Sequence, residues 1–196
     1  MGTAQPDTRT RIREAAAMLF RRNGFPGTGL KSIAAESGAP FGSIYHFFPG
    51  GKEQLAEDTI RTTGPEYMRL VLSLIEDATD PLEALGEAFE AAAATLAATD
   101  YADACPIATM ALEVASTNET LRIATAEVFA DWVEAGTRWF SRWVDDPATA
   151  RELTQSMIML LEGAFLLSRA ARAPEPIHTA GRSMVALART AIERSA

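Results

Sequence analysis

Gly38-Ala39-Pro40-Phe41-Gly42-Ser43-Ile44-Tyr45-His46-Phe47-Phe48 decides the fold, read together with Leu30 to Ser37 before it. Leu30 to Ser37 spaces Ile33 and Ala34 as the inner face of a short helix. Gly38-Ala39-Pro40 reads as a tight turn, and a second helix of about two turns follows from Pro40 to Phe47. Two short helices joined by a Gly-containing turn of three or four residues form a helix-turn-helix pattern. Its second helix enters a DNA major groove about 12 Å wide, which requires small or polar side chains near its N-terminus. Pro40, Phe41, Gly42, Ser43 and His46 fall on that side, whereas Ile44 and Phe47 or Phe48 fall on the inner one. Phosphate contacts, which fix register on the duplex, are expected from Thr28, Lys31, Ser43, Tyr45 and Lys52. Phe41 is open to two readings, contact with thymine methyls or packing against the next helix.

Upstream, Ile12, Ala15, Ala16, Leu19 and Phe20 repeat at helical spacing, and Gly24 is placed to end that helix. Downstream, another helix opens near Gly51-Lys52 and continues through Leu55 and Ile60. Charge divides at the same place. Residues 1–52 hold seven Lys or Arg against three acids, and the rest of the chain holds eleven against twenty-three. The overall net charge of −8 therefore conceals a basic module on an acidic body, and the module can meet a polyanion by itself.

The run Ile12, Ala16, Leu19-Phe20, Gly24-Phe25, Thr28, Ile33-Ala34, Gly38, Gly42 to Phe48 and Lys52 to Leu55 resembles the DNA-binding domain of the TetR family of transcriptional repressors. The resemblance covers about the first 55 to 60 residues. It implies an all-helical homodimer that binds a pseudo-palindromic operator in double-stranded DNA and releases it when a small-molecule effector binds. By position, Tyr45 and Lys52 match family residues that contact phosphate, and Gly42 and Ser43 approach the groove. Phe47 departs from the His or Tyr often found there, and the Pro49-Gly50-Gly51 link is longer than usual. Pro49 to Glu53, with Cys105-Pro106-Ile107 and Ala111-Leu112-Glu113, is similar to the LmrA/YxaF-type subgroup.

The rest of the chain reads as helix. It has 37 alanines, few alternating strand-type runs, and Pro or Gly punctuation at helix-length intervals, including Gly64-Pro65, Asp80-Pro81 and Asp146-Pro147. The expected fold is all-α with about nine or ten helices, divided into a DNA-binding domain (1–55) and an effector-binding and dimerisation domain (56–196). A hydrophobic content of 47% supports a real core, and no apolar run approaches the roughly 20 residues that span a bilayer. The N-terminus has no apolar signal region, Gly2 lacks a myristoylation context because of Pro6, and the lone Cys105 has no disulfide partner. These features predict a cytoplasmic protein without membrane association.

In the body, Phe129, Trp132, Trp139 and Trp143 recur at three- and four-residue steps. They either pack helices or line an effector pocket, whose expected members are Phe89, Met110, Glu113, Phe129, Trp132, Trp139, Met157 and Phe165. Glu113, inside an apolar stretch, either hydrogen-bonds a ligand, pairs with a cation or faces solvent. The last two helices are apolar over most of their circumference, which predicts burial against a second chain through Met157, Leu161, Phe165, Gly181, Met184 and Ala188. Glu162 on that face calls for a partner, with Arg169 and Arg182 as candidates. Two histidines, one cysteine and no nucleophile elbow or phosphate loop point away from an enzyme, a metal site or a cofactor. The rival is a helical small-molecule or protein-binding module whose first domain does not read DNA.

Overall fold

Short polar side chains start three of the helices, two of them at the Asp-Pro pairs that the sequence marks. In the computed structural model, which describes residues 6–103 and 105–195, the Asp80 carboxylate accepts from the Leu82 and Glu83 amides. Asp146 does the same for Ala148 and Thr149, each time ahead of a proline at the first helical position. Asp7 caps the first helix through the Thr10 amide at 2.8 Å. Gly2 lies outside the described residues.

Nine helices and no strands occur among the described residues. They are α1 (Thr8–Gly27), α2 (Leu30–Ser37), α3 (Phe41–Phe47), α4 (Gly51–Ile75), α5 (Pro81–Ala98), α6 (Pro106–Val114), α7 (Glu119–Phe140), α8 (Pro147–Ala171) and α9 (Glu175–Ser195). One detail differs from expectation: Gly64-Pro65 does not interrupt α4, which runs on to Ile75. The main run of α1 ends at Gly24 (φ 74, ψ 173), a backbone region open essentially to glycine alone, and one further turn follows. Gly38 (φ 62) closes α2 in the left-handed conformation, the turn expected between the two short helices.

The chain forms two compact units, each built from two stretches of sequence. The first combines Met1–Pro65 with Pro106–Val128, so α6 and the start of α7 belong with α1, α2, α3 and the first part of α4. Here α1 packs on α2, α3 and α6 around the buried side chains of Ile12, Phe20, Ile33, Ile44, Phe48 and Leu55. The second combines Glu66–Cys105 with Phe129–Ala196. In it, α9 packs against both α5 and α8, with Leu85, Phe89, Leu96, Ile177 and Met184 buried. Close approach of α5 and α9 depends on Gly181, where a Cβ would stand 2.8 Å from that of Phe89.

Candidate nucleic-acid interface and ligand cavity

Helix α3 has one face anchored and one bare. Ile44 within it and Phe48 just after it are fully buried. Pro40 occupies its N-cap and accepts the Ser43 amide at 2.9 Å. On the other face Phe41 is 44% and Tyr45 49% exposed, their rings edge to face at 5.8 Å. The Phe41 ring is thus partly solvent-facing beside Tyr45. Around Gly42 a Cβ would meet nothing within 4 Å, and His46 is exposed with its ring against the edge of Phe47. Ser43 is half-buried, and Lys31 on α2 is exposed.

Two expected phosphate donors are engaged within the chain, Thr28 fully and Lys52 in part. Thr28 is buried, and its hydroxyl donates to the carbonyls of Gly24 (2.8 Å) and Leu19 (3.1 Å). It ties the end of α1 to its last turn and offers no group to a ligand. Lys52, at the start of α4, is half-buried with Nζ 4.4 Å over the Phe25 ring. Burial lowers its pKa from the ordinary lysine value, opposed by the charge of Glu113. Glu113 is neither a cavity residue nor a solvent-facing acid. From α6 its carboxylate accepts the Phe25 amide at 2.5 Å, against Gly24.

The second unit encloses an apolar cavity of about 60 Å³. Trp132, Trp139 and Met157 line it, and Leu161, expected at a dimer interface, lines it too. Its opposite wall went unpredicted: Tyr67, Met68, Val71, Leu72 and Ile75 of α4. Their spacing of 67, 68, 71, 72 and 75 is an apolar helical stripe, which was legible but was hidden by treating Gly64-Pro65 as a break. Trp139 donates its indole N–H to the Ile75 carbonyl at 2.9 Å, leaving the rest of its ring to pack and to line the cavity. Gly136 lets α7 approach α8 closely, since a Cβ there would stand 2.4 Å from Thr154 Cγ2.

The carboxylate of the cavity wall is that of Glu162. Burial raises its pKa to about 7, against the hydrogen bond its carboxylate accepts from the Cys105 thiol. Neither Arg169 nor Arg182 is needed to account for it. The other expected pocket members are dispersed. Met110 is buried in the first unit, Phe89 lies against Gly181, Phe165 is buried on α8, and Phe129 meets Trp132 edge-on at 5.4 Å without lining the cavity.

The expected dimer face also needs correction. Phe165, Gly181, Met184 and Ala188 are buried within their own chain, and Met157 and Leu161 face the cavity. What α8 and α9 leave bare is another set: Met159, Gly163, Leu166, Leu167 and Leu187, with Met159 66% and Leu166 64% exposed. The sequence showed helices apolar all round but not which side each fold-mate would take. Among the described residues no His, Cys, Asp and Glu cluster could hold a metal, and no helix is long and apolar enough to cross a membrane.

Residues 12–59 match the family model of bacterial regulatory proteins of the tetR family, and residues 81–183 match that of the LmrA/YxaF-like transcriptional regulator C-terminal domain. The chain is 33% identical to the HTH-type transcriptional regulator YxaF of Bacillus subtilis, over 85% of this chain and 87% of that one. It is 32% identical to the regulator LmrA of the same organism, over 87% and 91%. Among solved structures it resembles the regulatory protein TetR from Rhodobacter sphaeroides, with a TM-score of 0.81 over 92% of this chain and 98% of that one at 20% identity.

Proposed function

Because the chain belongs to the TetR family of bacterial transcriptional regulators, we propose that it is a repressor that binds a pseudo-palindromic operator as a homodimer and is released by a small, largely apolar effector. The observation that carries the reading is the two-faced α3, held by Ile44 and Phe48 while Phe41, Gly42, Tyr45 and His46 stand free. In the groove, Gly42 allows close approach and Phe41 meets thymine methyls. Lys31, Ser43, Tyr45 and Lys52 contact phosphates and fix register. Two copies place their α3 helices in successive major grooves, about 34–36 Å apart. The bare face of α8 and α9 pairs them, since contiguous apolar surface of this kind marks an association site.

The cavity is the effector site. At about 60 Å³ it is far below the roughly 300–1,000 Å³ that drug-sized ligands occupy. An effector therefore displaces side chains to enter, and the unbranched Met68 and Met157 are the adaptable part of the wall. A ligand that binds the expanded form better shifts the population toward it. Coupling of about 1–3 kcal/mol would weaken operator binding 5- to 150-fold.

Selection from a pool of random duplexes with the full-length protein tests this directly. The expected outcome is a two-fold related site, bound more tightly than random DNA and steeply weakened by salt. Planar apolar compounds that quench the fluorescence of Trp132 and Trp139 should then release it. Enrichment of no site, with such compounds still binding, would favour the binding-module reading instead.

A further inference from the structure

Gly24 ends the main run of α1 in a conformation that turns the Phe25 amide away from its own helix, and that amide is met by a carboxylate from a residue 88 positions away, Glu113. The fit is close on both sides. A Cβ on Gly24 would lie 2.0 Å from Glu113 Oε1, so the approach needs glycine for space as well as for its backbone angles. Beyond the amide, the Phe25 ring carries the Lys52 ammonium at 4.4 Å, and the charge of Glu113 acts on the same ammonium.

We infer that Glu113 is a positioning residue for DNA binding: by holding the Phe25 backbone it fixes the ring on which Lys52 rests, and so places Lys52 at the start of α4. The inference rests on the proposed contact between Lys52 and a phosphate. A free lysine side chain loses rotamer freedom when it docks, whereas one already restrained by a ring and a carboxylate has less to lose. An opposite effect competes, because a carboxylate near the DNA repels phosphate within about the 8 Å screening length of physiological salt. The two effects predict opposite signs on removing Glu113, so measurement decides between them.

The probe is the duplex that the unaltered full-length protein enriches from a random pool, titrated across a salt series. Glu113→Ala is expected to weaken binding about tenfold and to flatten the dependence of log K on log salt by about 0.9 per subunit, as Lys52→Ala does. Combining the two substitutions should weaken binding no further than Lys52→Ala alone. Glu113→Gln keeps an oxygen for the Phe25 amide and should recover most of the affinity. Phe25→Leu removes the ring and should flatten the salt dependence as well, which keeps the test alive if Glu113→Ala does not fold. Tighter binding by Glu113→Ala, additive losses in the double variant, or a lower melting temperature with an unchanged salt dependence would each overturn the inference. Failure of the unaltered protein to enrich any duplex is a different result, because it removes the DNA-binding reading on which the inference stands.

Discussion

The two units put their working residues on opposite sides of the same kind of helix. On α3 the residues proposed to act are bare, and the buried Ile44 and Phe48 only hold them. In the second unit Trp132 and Trp139 are buried, and the proposed work is done on the inside. Two carboxylates make the contrast specific. Glu113 and Glu162 both sit in apolar stretches of sequence, yet one is taken up by a backbone amide and the other lines a cavity beside a thiol. An acid in an apolar run therefore has no role of its own; its hydrogen-bond partner assigns one. Exposure is likewise informative only after the acting face is known.

The largest effect should come from separating the core of α9 from the bare face of α8. Met184 is fully buried, so Met184→Ala should cost about 2–5 kcal/mol through lost burial and an unfilled cavity, read as a fall in the urea midpoint. Leu166 is 64% exposed, and Leu166→Glu should leave each chain folded but dissociate the proposed dimer, read by sedimentation. Because dimers are stabilised by mass action, both unfolding curves need protein concentrations held equal. The comparison breaks if Met184→Ala releases monomers of unchanged stability, which would return the interface to the side that is now buried.

How much of this the sequence contained varies with how local the physics is. Caps, the Gly38 turn and the limits of α2 depend on neighbouring residues and were legible, and so was the inner face of α3 through Ile44. The subgroup resemblance extended that legibility to the C-terminal domain, which the family model matches over residues 81–183. Longer-range pairings were not legible. Nothing in Ala111-Leu112-Glu113 names Phe25 as its partner, and the fate of Met184 depends on where α5 and α8 pack. The missed α4 wall differs from these, because its stripe was present and a proline signal was given too much weight. A proline inside a helix removes one hydrogen bond, and in α4 the helix continues regardless.

Glu162 offers the next effect in size and sharpens the contrast between the carboxylates. Its pKa in the folded chain is raised to about 7 from the ordinary glutamate value of 4.5, so the folded state holds its proton more tightly than the unfolded state does. The stabilising contribution is complete below about pH 4.5 and is lost as pH rises to about 7, where the cost levels off at about 3 kcal/mol. Glu162→Gln should remove this component, so that its melting temperature changes less than that of the unaltered protein between pH 5 and 7.5. Parallel pH profiles for the two would show that Glu162 ionises as freely in the folded chain as in water.

The smallest effect tests the correction at Thr28, where position in the chain suggested a phosphate contact and burial assigns a structural one. Its hydroxyl bridges the Leu19 and Gly24 carbonyls, so Thr28→Val keeps the shape and removes both hydrogen bonds. The expected cost is about 1–2 kcal/mol of stability, because at least one carbonyl is left without that donor in a buried place. Operator binding at saturating folded protein should keep its salt dependence, whereas Lys31→Ala, on an exposed side chain, should flatten it by about 0.9 per subunit. Thr28→Ser, which retains the donor, should recover stability in part. A flattened salt dependence in Thr28→Val at unchanged stability would mean that the hydroxyl leaves its carbonyls to meet DNA, and the first unit would then rearrange on binding rather than dock as it stands.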